Sequence, residues 1–288
     1  MSDAFDFNKL IWQIASSKGF NITEITPLSG GSINEVFLLS GPDRNQVIKF
    51  NKTRKFPGMF QAEKEGLDLL RSTRTFVVPE VYSVGESGEF SFLLMEYLPV
   101  GIADFTFWKK FAEDLSALHG NTAAAFGFPS GNYIGCLPQN NENRASVADF
   151  YISQRLEPQI RMAVQNGFNF QSLDIAFKNI SHEIPEEPPS LLHGDLWSGN
   201  YLVTSKGLPA LIDPAVCYGP REMDLSMMKL FGGFPKEVFE TYSDLFPLQP
   251  NFAERIPLWQ LYYLLVHLNI FGKSYYSSVK SILDHFSN

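Results

Sequence analysis

The sequence predicts an α+β protein in two unequal parts, a small strand-rich part over residues 1–98 and a larger, mainly helical part over residues 99–288. Three observations carry that expectation. Short apolar runs separated by turn residues crowd the first hundred positions, and helical periodicity dominates after Pro99. One further pair of short runs lies inside the helical part, around Thr204-Ser205-Lys206-Gly207. At 288 residues the chain can bury roughly 75% of the surface its unfolded form exposes, so it needs neither disulfides nor a structural metal to fold.

Ile33 to Leu39 and Gln46 to Phe50 flank Gly41-Pro42-Asp43 and predict a hairpin. After Pro57-Gly58, the positions Phe60, Glu63, Leu67 and Leu70 recur at helical spacing. Val77-Val78 and Phe90 to Leu94 predict two more strands, separated by Gly85-Glu86-Ser87-Gly88. Phe107, Phe111, Leu115 and Leu118 then mark a helix over Asp104 to His119, with Asp104 as its N-cap. Phe150 to Val164 repeats the pattern, Leu191 to Leu202 and Leu208 to Asp213 predict the second hairpin, and Leu258 to Leu268 a last helix with Pro257 in its first turn.

Charge and composition narrow the function. With 23 basic and 31 acidic residues the net charge is −8, which argues against a binder of phosphate backbones. Residues 1–98 carry ten basic and twelve acidic side chains and the remainder thirteen and nineteen, so the acidity lies mainly in the larger part. A neutral or cationic small molecule is the expected partner. Two cysteines, Cys136 and Cys217, form no disulfide framework and no zinc spacing, and a reducing cytoplasm is the expected compartment. Asp3, Asp6 and Lys9 interrupt the start, which does not resemble a signal peptide, and no stretch is long and apolar enough for a membrane span. A monomer is the expected state.

The most informative segment is His193-Gly194-Asp195-Leu196-Trp197-Ser198-Gly199-Asn200, followed by Ile212-Asp213-Pro214. An Asp, an Asn five residues later and a second Asp thirteen residues beyond match the spacing H-x-D-L-x-x-x-N…D of a kinase catalytic loop and its metal-binding Asp. Phosphoryl transfer needs a carboxylate to take the acceptor's proton and oxygen ligands to hold Mg²⁺ against phosphates. Turn residues capping a hairpin are the alternative, and the length of the matching string favours the chemistry. Lys49, in Val47-Ile48-Lys49-Phe50, sits where a kinase places its phosphate-contacting Lys. Glu63 shares the apolar face of the next helix, where a carboxylate needs a partner, whereas the competing Glu65 falls off that face. Ser29-Gly30-Gly31-Ser32 is either a loop that offers backbone N–H groups to phosphate or a plain turn, and Glu96, Tyr97 and Leu98 form either a connector suited to adenine or an ordinary linker. Asp224 follows Pro214 by only ten residues and no A-P-E follows, which leaves no room for a peptide-docking activation segment. The acceptor should therefore be a small hydroxylated compound or a small adduct on a larger molecule.

These residues resemble the fructosamine (ketosamine) kinases, within the aminoglycoside-phosphotransferase group of the protein-kinase-like, two-lobed fold. The resemblance runs through Gly30-Gly31-Ser32-Ile33, Met95-Glu96-Tyr97-Leu98-Pro99, Gln154-Arg155-Leu156, Leu192 to Asn200, Gly219-Pro220-Arg221-Glu222-Met223-Asp224-Leu225 and Asn269-Ile270-Phe271-Gly272. Trp197-Ser198 is its most specific element, since aminoglycoside and choline kinases more often carry His-Pro there. The resemblance implies transfer of the ATP γ-phosphate to the 3-hydroxyl of a free or protein-bound ketosamine, a deglycation step. It makes Asp195 the base, Asn200 and Asp213 the Mg²⁺ ligands, Lys49 and Glu63 the phosphate-orienting pair, and His193 and Asp224 structural supports. Trp197, two residues past the base, is either a cation–π platform for the acceptor's amine or a core residue. Two positions depart from relatives: Ser32 stands where some carry Cys, and Val147 where many carry Trp. A kinase for aminoglycosides or choline-like amines, and a non-catalytic nucleotide binder, are the alternatives; the complete set of five polar residues speaks against the last.

Overall fold

The structure, a computed structural model, describes residues 6–28 and 33–287. Five antiparallel strands form the N-terminal sheet: β1 (Glu24–Pro27), β2 (Glu35–Ser40), β3 (Gln46–Lys52), β4 (Val81–Ser87) and β5 (Phe90–Glu96), in the order β1-β2-β3-β5-β4. The two faces of the central β3 bury different partners. Ile48 and Phe50 pack with Phe37 and Phe92 against Ile11 and Ile14 of helix α1 (Phe7–Ser17). Val47 turns the other way, into a core with Phe60, Leu67 and Leu70 of helix α2 (Met59–Ser72). Lys49, two residues on, shares the face of Val47 and so points at α2.

The C-terminal part opens with α3 (Phe107–His119) and a small hairpin, β6 (Asn132–Ile134) with β7 (Leu137–Gln139). A long helix follows as α4 (Val147–Asp149), a π-helical stretch (Phe150–Leu156) and α5 (Glu157–Gln165), then α6 (Leu173–Glu183). Strand β8 (Ser190–Leu192) pairs with β11 (Cys217–Gly219), whereas β9 (Tyr201–Val203) pairs with β10 (Pro209–Leu211). Helices α7 (Glu222–Leu230), α8 (Lys236–Leu245), α9 (Phe252–Phe271) and α10 (Tyr276–Phe286) complete the chain. Leu261, Tyr262 and Leu265 of α9 are the centre of a core with Phe150 and Tyr151. Among the described residues no helix is long and apolar enough to cross a membrane.

Several boundaries differ from expectation, each for a local reason. Helix α1 and strand β1 were not anticipated. Val77-Val78 is no strand of the sheet: Val77 makes an isolated parallel bridge to Ala210, and β4 runs from Val81 through Gly85 to Ser87. Helix α3 begins at Phe107 because the preceding chain is strapped to the β9–β10 turn, Gly101 N–H to Val203 O at 2.8 Å and Ser205 N–H to Pro99 O at 2.7 Å. Asp104 is not its N-cap; the carboxylate instead accepts from the N–H and hydroxyl of Thr106, each at 2.7 Å. The run Leu191 to Leu202 splits into β8 and β9, which belong to different two-stranded sheets. Pro257 lies inside α9, which starts five residues earlier at Phe252.

The early start of α9 has an electrostatic anchor. Arg255 forks onto Glu222 of α7, Nη2 to Oε1 at 2.5 Å and Nε to Oε2 at 2.9 Å, and Trp259 Nε1 adds a bond to Oε2 at 2.7 Å. Both charges are buried. Removing one strands the other, so Arg255→Met should destabilise the protein by about 3–5 kcal/mol in urea unfolding. The double variant Glu222→Gln/Arg255→Met should recover part of that loss, and equal losses in both variants would show that the pairing contributes nothing.

Candidate active site

The chain reversal from β8 to β9 carries His193 to Asn200, and the β10–β11 connection carries Asp213. Asp224, fully buried at the start of α7, accepts from two successive backbone donors of that loop, His193 N–H at 2.8 Å and Gly194 N–H at 2.9 Å. Its Oδ2 also lies 3.3 Å from His119 Nε2, and His119 Nδ1 lies 2.8 Å from the Tyr242 hydroxyl. Gly194 is required by space as well as conformation: its φ is +84° and a Cβ would stand 2.0 Å from Ala215 O. The His193 ring donates through Nε2 to Ile212 O at 2.9 Å and accepts the Asp195 N–H on Nδ1 at 3.3 Å. Burial holds this imidazole below its ordinary pKa, so it is a neutral strut between the two halves of the site.

Lys49, 4% exposed, donates to Glu63 Oε1 at 2.7 Å and forms a second ion pair with Asp213. Burial alone would lower its pKa, but the two carboxylates more than offset this and hold the ammonium above its ordinary value. Asp213 adopts φ +53°, a left-handed conformation that Asp tolerates better than most residues. Asn200 places its Nδ2 on Asp195, 2.8 Å from the carbonyl and 3.2 Å from Oδ2. Burial of the Asp195 carboxyl, then the charge of Asp213, push it up to about 7, against the opposing Asn200 hydrogen bond.

The donor set fits a hard divalent cation. With Nδ2 committed to Asp195, the Asn200 Oδ1 has no protein donor among the described residues, and half of the Asp213 side chain is exposed. An amide oxygen and a carboxylate suit Mg²⁺, which keeps the rest of its shell as water and phosphate oxygens. No cluster of three or more His, Cys, Asp or Glu side chains able to hold a metal occurs among the described residues, so two protein oxygens are the relevant set.

Lys49, Glu63, Asp195, Asn200, Asp213 and Trp197 line one cleft of about 650 Å³. Trp197 is 39% exposed at this cleft rather than packed in the core, and its ring covers Gly199, where a Cβ would come within 2.3 Å of it. Glu96, Tyr97 and Leu98 do not line the cleft, and Gly30, Gly31 and Ser32 lie outside the described residues. Sequence reasoning missed an aromatic group that lines the same cleft. Phe231, Phe271 and Tyr275 surround the His267 ring, with centroids 4.8, 5.5 and 5.1 Å from it, and His267 Nδ1 donates to Tyr263 O at 2.8 Å. The available signal was Phe271 before Gly272, an aromatic left 55% exposed at the end of an apolar helix.

A model of the fructosamine kinase family matches residues 7–288. A "probable ketoamine kinase" of Enterococcus faecium is 40% identical over 270 residues, covering 91% of this chain and 95% of that protein. Another of the same description from Synechocystis is 35% identical over 276 residues, covering 94% and 93%. A crystal structure carrying the fructosamine-3-kinase name, from Haemophilus somnus 129PT, superposes with a TM-score of 0.87 at 29% identity over 96% of each chain. An aminoglycoside phosphotransferase solved in ternary complex with ADP and hygromycin B shares the fold, with a TM-score of 0.65 at 18% identity over 96% of this chain and 97% of that one.

The raised pKa of Asp195 has a stability consequence with a definite sign. Between the unfolded value of 3.8 and about 7 the folded state holds the proton that the unfolded state has lost, so stability falls as pH rises through that window. Asp195→Asn should therefore raise the melting temperature at pH 8, and the gain should vanish by pH 4. A gain of the same size at both pH values would contradict the shift.

Proposed function

The chain belongs to the fructosamine kinase family, and on that premise we propose that it transfers the γ-phosphate of ATP to the 3-hydroxyl of a sugar-derived ketoamine. It is a phosphotransferase with an alcohol group as acceptor. The observation that carries the substrate reading is the shared cleft, which Asp195, Lys49, Asp213 and Asn200 line together with the aromatic side chains Phe231, Phe271 and Tyr275. Residues 1–98 are the proposed nucleotide-binding lobe and residues 99–288 the acceptor lobe. The Leu98 N–H, which takes no protein acceptor among the described residues, is the donor proposed for adenine, together with the Glu96 and Tyr97 backbone.

In this reading the Lys49 ammonium, fixed by Glu63, orients the α and β phosphates. Asn200 Oδ1 and the Asp213 carboxylate would hold Mg²⁺, which would supply charge neutralisation at the phosphates. Asp195 accepts the proton of the attacking hydroxyl, and Asn200 fixes the carboxyl that receives it. His193 and Asp224 keep the loop rigid. Trp197 faces the protonated secondary amine of the ketosamine as a cation–π platform, which also explains why its ring stays exposed. Product instability then frees the amine, so the net outcome is deglycation, with the cytoplasm as the proposed compartment.

Incubation with Mg-ATP and a panel of fructosamine, ribulosamine and aminoglycoside acceptors tests the assignment. Phosphate should move to the ketosamines, and transfer confined to aminoglycosides would overturn it. Asp195→Asn should lower kcat by about 10²–10⁴-fold. Trp197→Ala should raise the KM for ketosamine by about tenfold with little change in the KM for ATP. An unchanged ketosamine KM would remove the platform.

A further inference from the structure

Where a peptide-phosphorylating kinase uses its long activation segment to set the helix that carries the Lys-pairing Glu, this chain has only the short connection from Pro214 to Asp224. Something else must fix α2, because the ion pair of Glu63 with Lys49 requires that helix to stay seated against the sheet. The β6–β7 hairpin supplies the contacts. Tyr133 on β6 donates its hydroxyl to Pro57 O, just before α2, at 2.9 Å. Ser130, at the approach to β6, donates to Glu65 Oε2 on α2 at 2.9 Å. Glu65, the acidic side chain that falls off the apolar face of α2, thus has a partner of its own.

The hairpin is itself anchored to the chain just past Asp213. Asn132 Nδ2 donates to Val216 O at 2.8 Å and Gln139 Nε2 to Ala215 O at 3.2 Å. Both side chains are buried, and Asn132 Oδ1 accepts from Gln139 at 2.8 Å and from Asn141 at 2.9 Å. Tyr262 of α9 donates to Gln139 Oε1 at 2.6 Å, and Arg155 of the π-helical stretch donates to Asn141 Oδ1 at 2.7 Å. With the amides of Asn132, Gln139 and Asn141 all paired, the hairpin is stiffly held. Directly beside it, α2 meets the same segment through Gly66, where a Cβ would lie 3.2 Å from Val216 Cγ2 and 3.3 Å from Pro214 Cγ.

We propose that Ser130 and Tyr133 are positioning residues: they clamp α2 to the segment following Asp213, so that Glu63 stays on Lys49 whether or not nucleotide is bound. The proposal deepens the phosphotransferase reading by naming what assembles its ion pair, and it needs no effector or modification. Tyr133 also lines the cleft, so it is the dependence on Glu63, and not a change in KM alone, that identifies the clamp.

Hydrogen exchange of the nucleotide-free protein tests the clamp without reference to substrate. In Ser130→Ala/Tyr133→Phe the amides of α2 should exchange about tenfold faster, while those of α3 keep their protection and report that the protein is folded. Unchanged exchange over residues 59–72 would overturn the clamp. Kinetics supply the second readout. The double variant should raise the KM for ATP and lower kcat, each by about fivefold, and these changes should fall below about twofold when Glu63→Gln is already present. Equal effects in both backgrounds would mean that the hairpin does not act through Glu63. Gly66→Ala, which presses α2 away from Val216, should reproduce the kinetic pattern. A parent protein that transfers no phosphate to ketosamines, yet shows the exchange difference, would sink the substrate reading and leave the clamp standing.

Discussion

Lys49 is a buried cation on the central strand of the N-terminal sheet, and a buried charge must be paired to remain charged. Its two partners arrive from different directions, Glu63 from α2 and Asp213 from the connection after β10. One ammonium therefore holds together the sheet, a helix and the Asp213 segment of the other part. The arrangement also sets the local charge. Glu63, Asp213 and an ionised Asp195 outnumber Lys49 by two, which is the charge a divalent cation neutralises.

Around that centre the backbone is held by groups that do no chemistry themselves. Asp224 takes the N–H groups of His193 and Gly194, and the neutral His193 ring reaches across to Ile212 next to Asp213. The loop bearing Asp195 and the segment bearing Asp213 are thereby fixed relative to one another by three hydrogen bonds. The short chain between Pro214 and Asp224 leaves no long segment on which a peptide could dock, which suits the small acceptor proposed. The aromatic wall around His267 is apolar, so the greater acidity of the C-terminal part is not expressed where the acceptor's substituent would lie.

What the sequence revealed depended on whether a residue's partner was near in sequence or carried by a periodic pattern. Asp195, Asn200 and Asp213 were legible because hairpin geometry fixes their spacing, and Glu63 because a carboxylate on an apolar face demands a cation. The pairing itself, 14 residues apart for Glu63 and 164 for Asp213, lies in tertiary structure and could only be inferred through the kinase pattern. Helix α3 was found by its apolar stripe but started three residues early, because nothing local shows that Pro99 and Gly101 are tied to the β9–β10 turn. Pro257 misplaced the start of α9 for a similar reason: the Arg255–Glu222 pair that extends the helix joins residues 33 apart. The partners of His119 and the α2 clamp were invisible because each is assembled from segments far apart in the chain, whereas most of the aromatic wall lies on neighbouring turns and lacked only Phe231.

Lys49 is the group proposed to organise phosphate transfer. The most direct measurement follows a ³¹P signal under single-turnover conditions, with Mg-ATP and a fructosamine, for the parent and for Lys49→Met. The parent should produce a phosphate ester on the 3-hydroxyl, and Lys49→Met, still folded by circular dichroism, should produce it at least about 10³-fold more slowly. Transfer at the parental rate in the variant, or an ester on a different hydroxyl in the parent, would contradict the proposal.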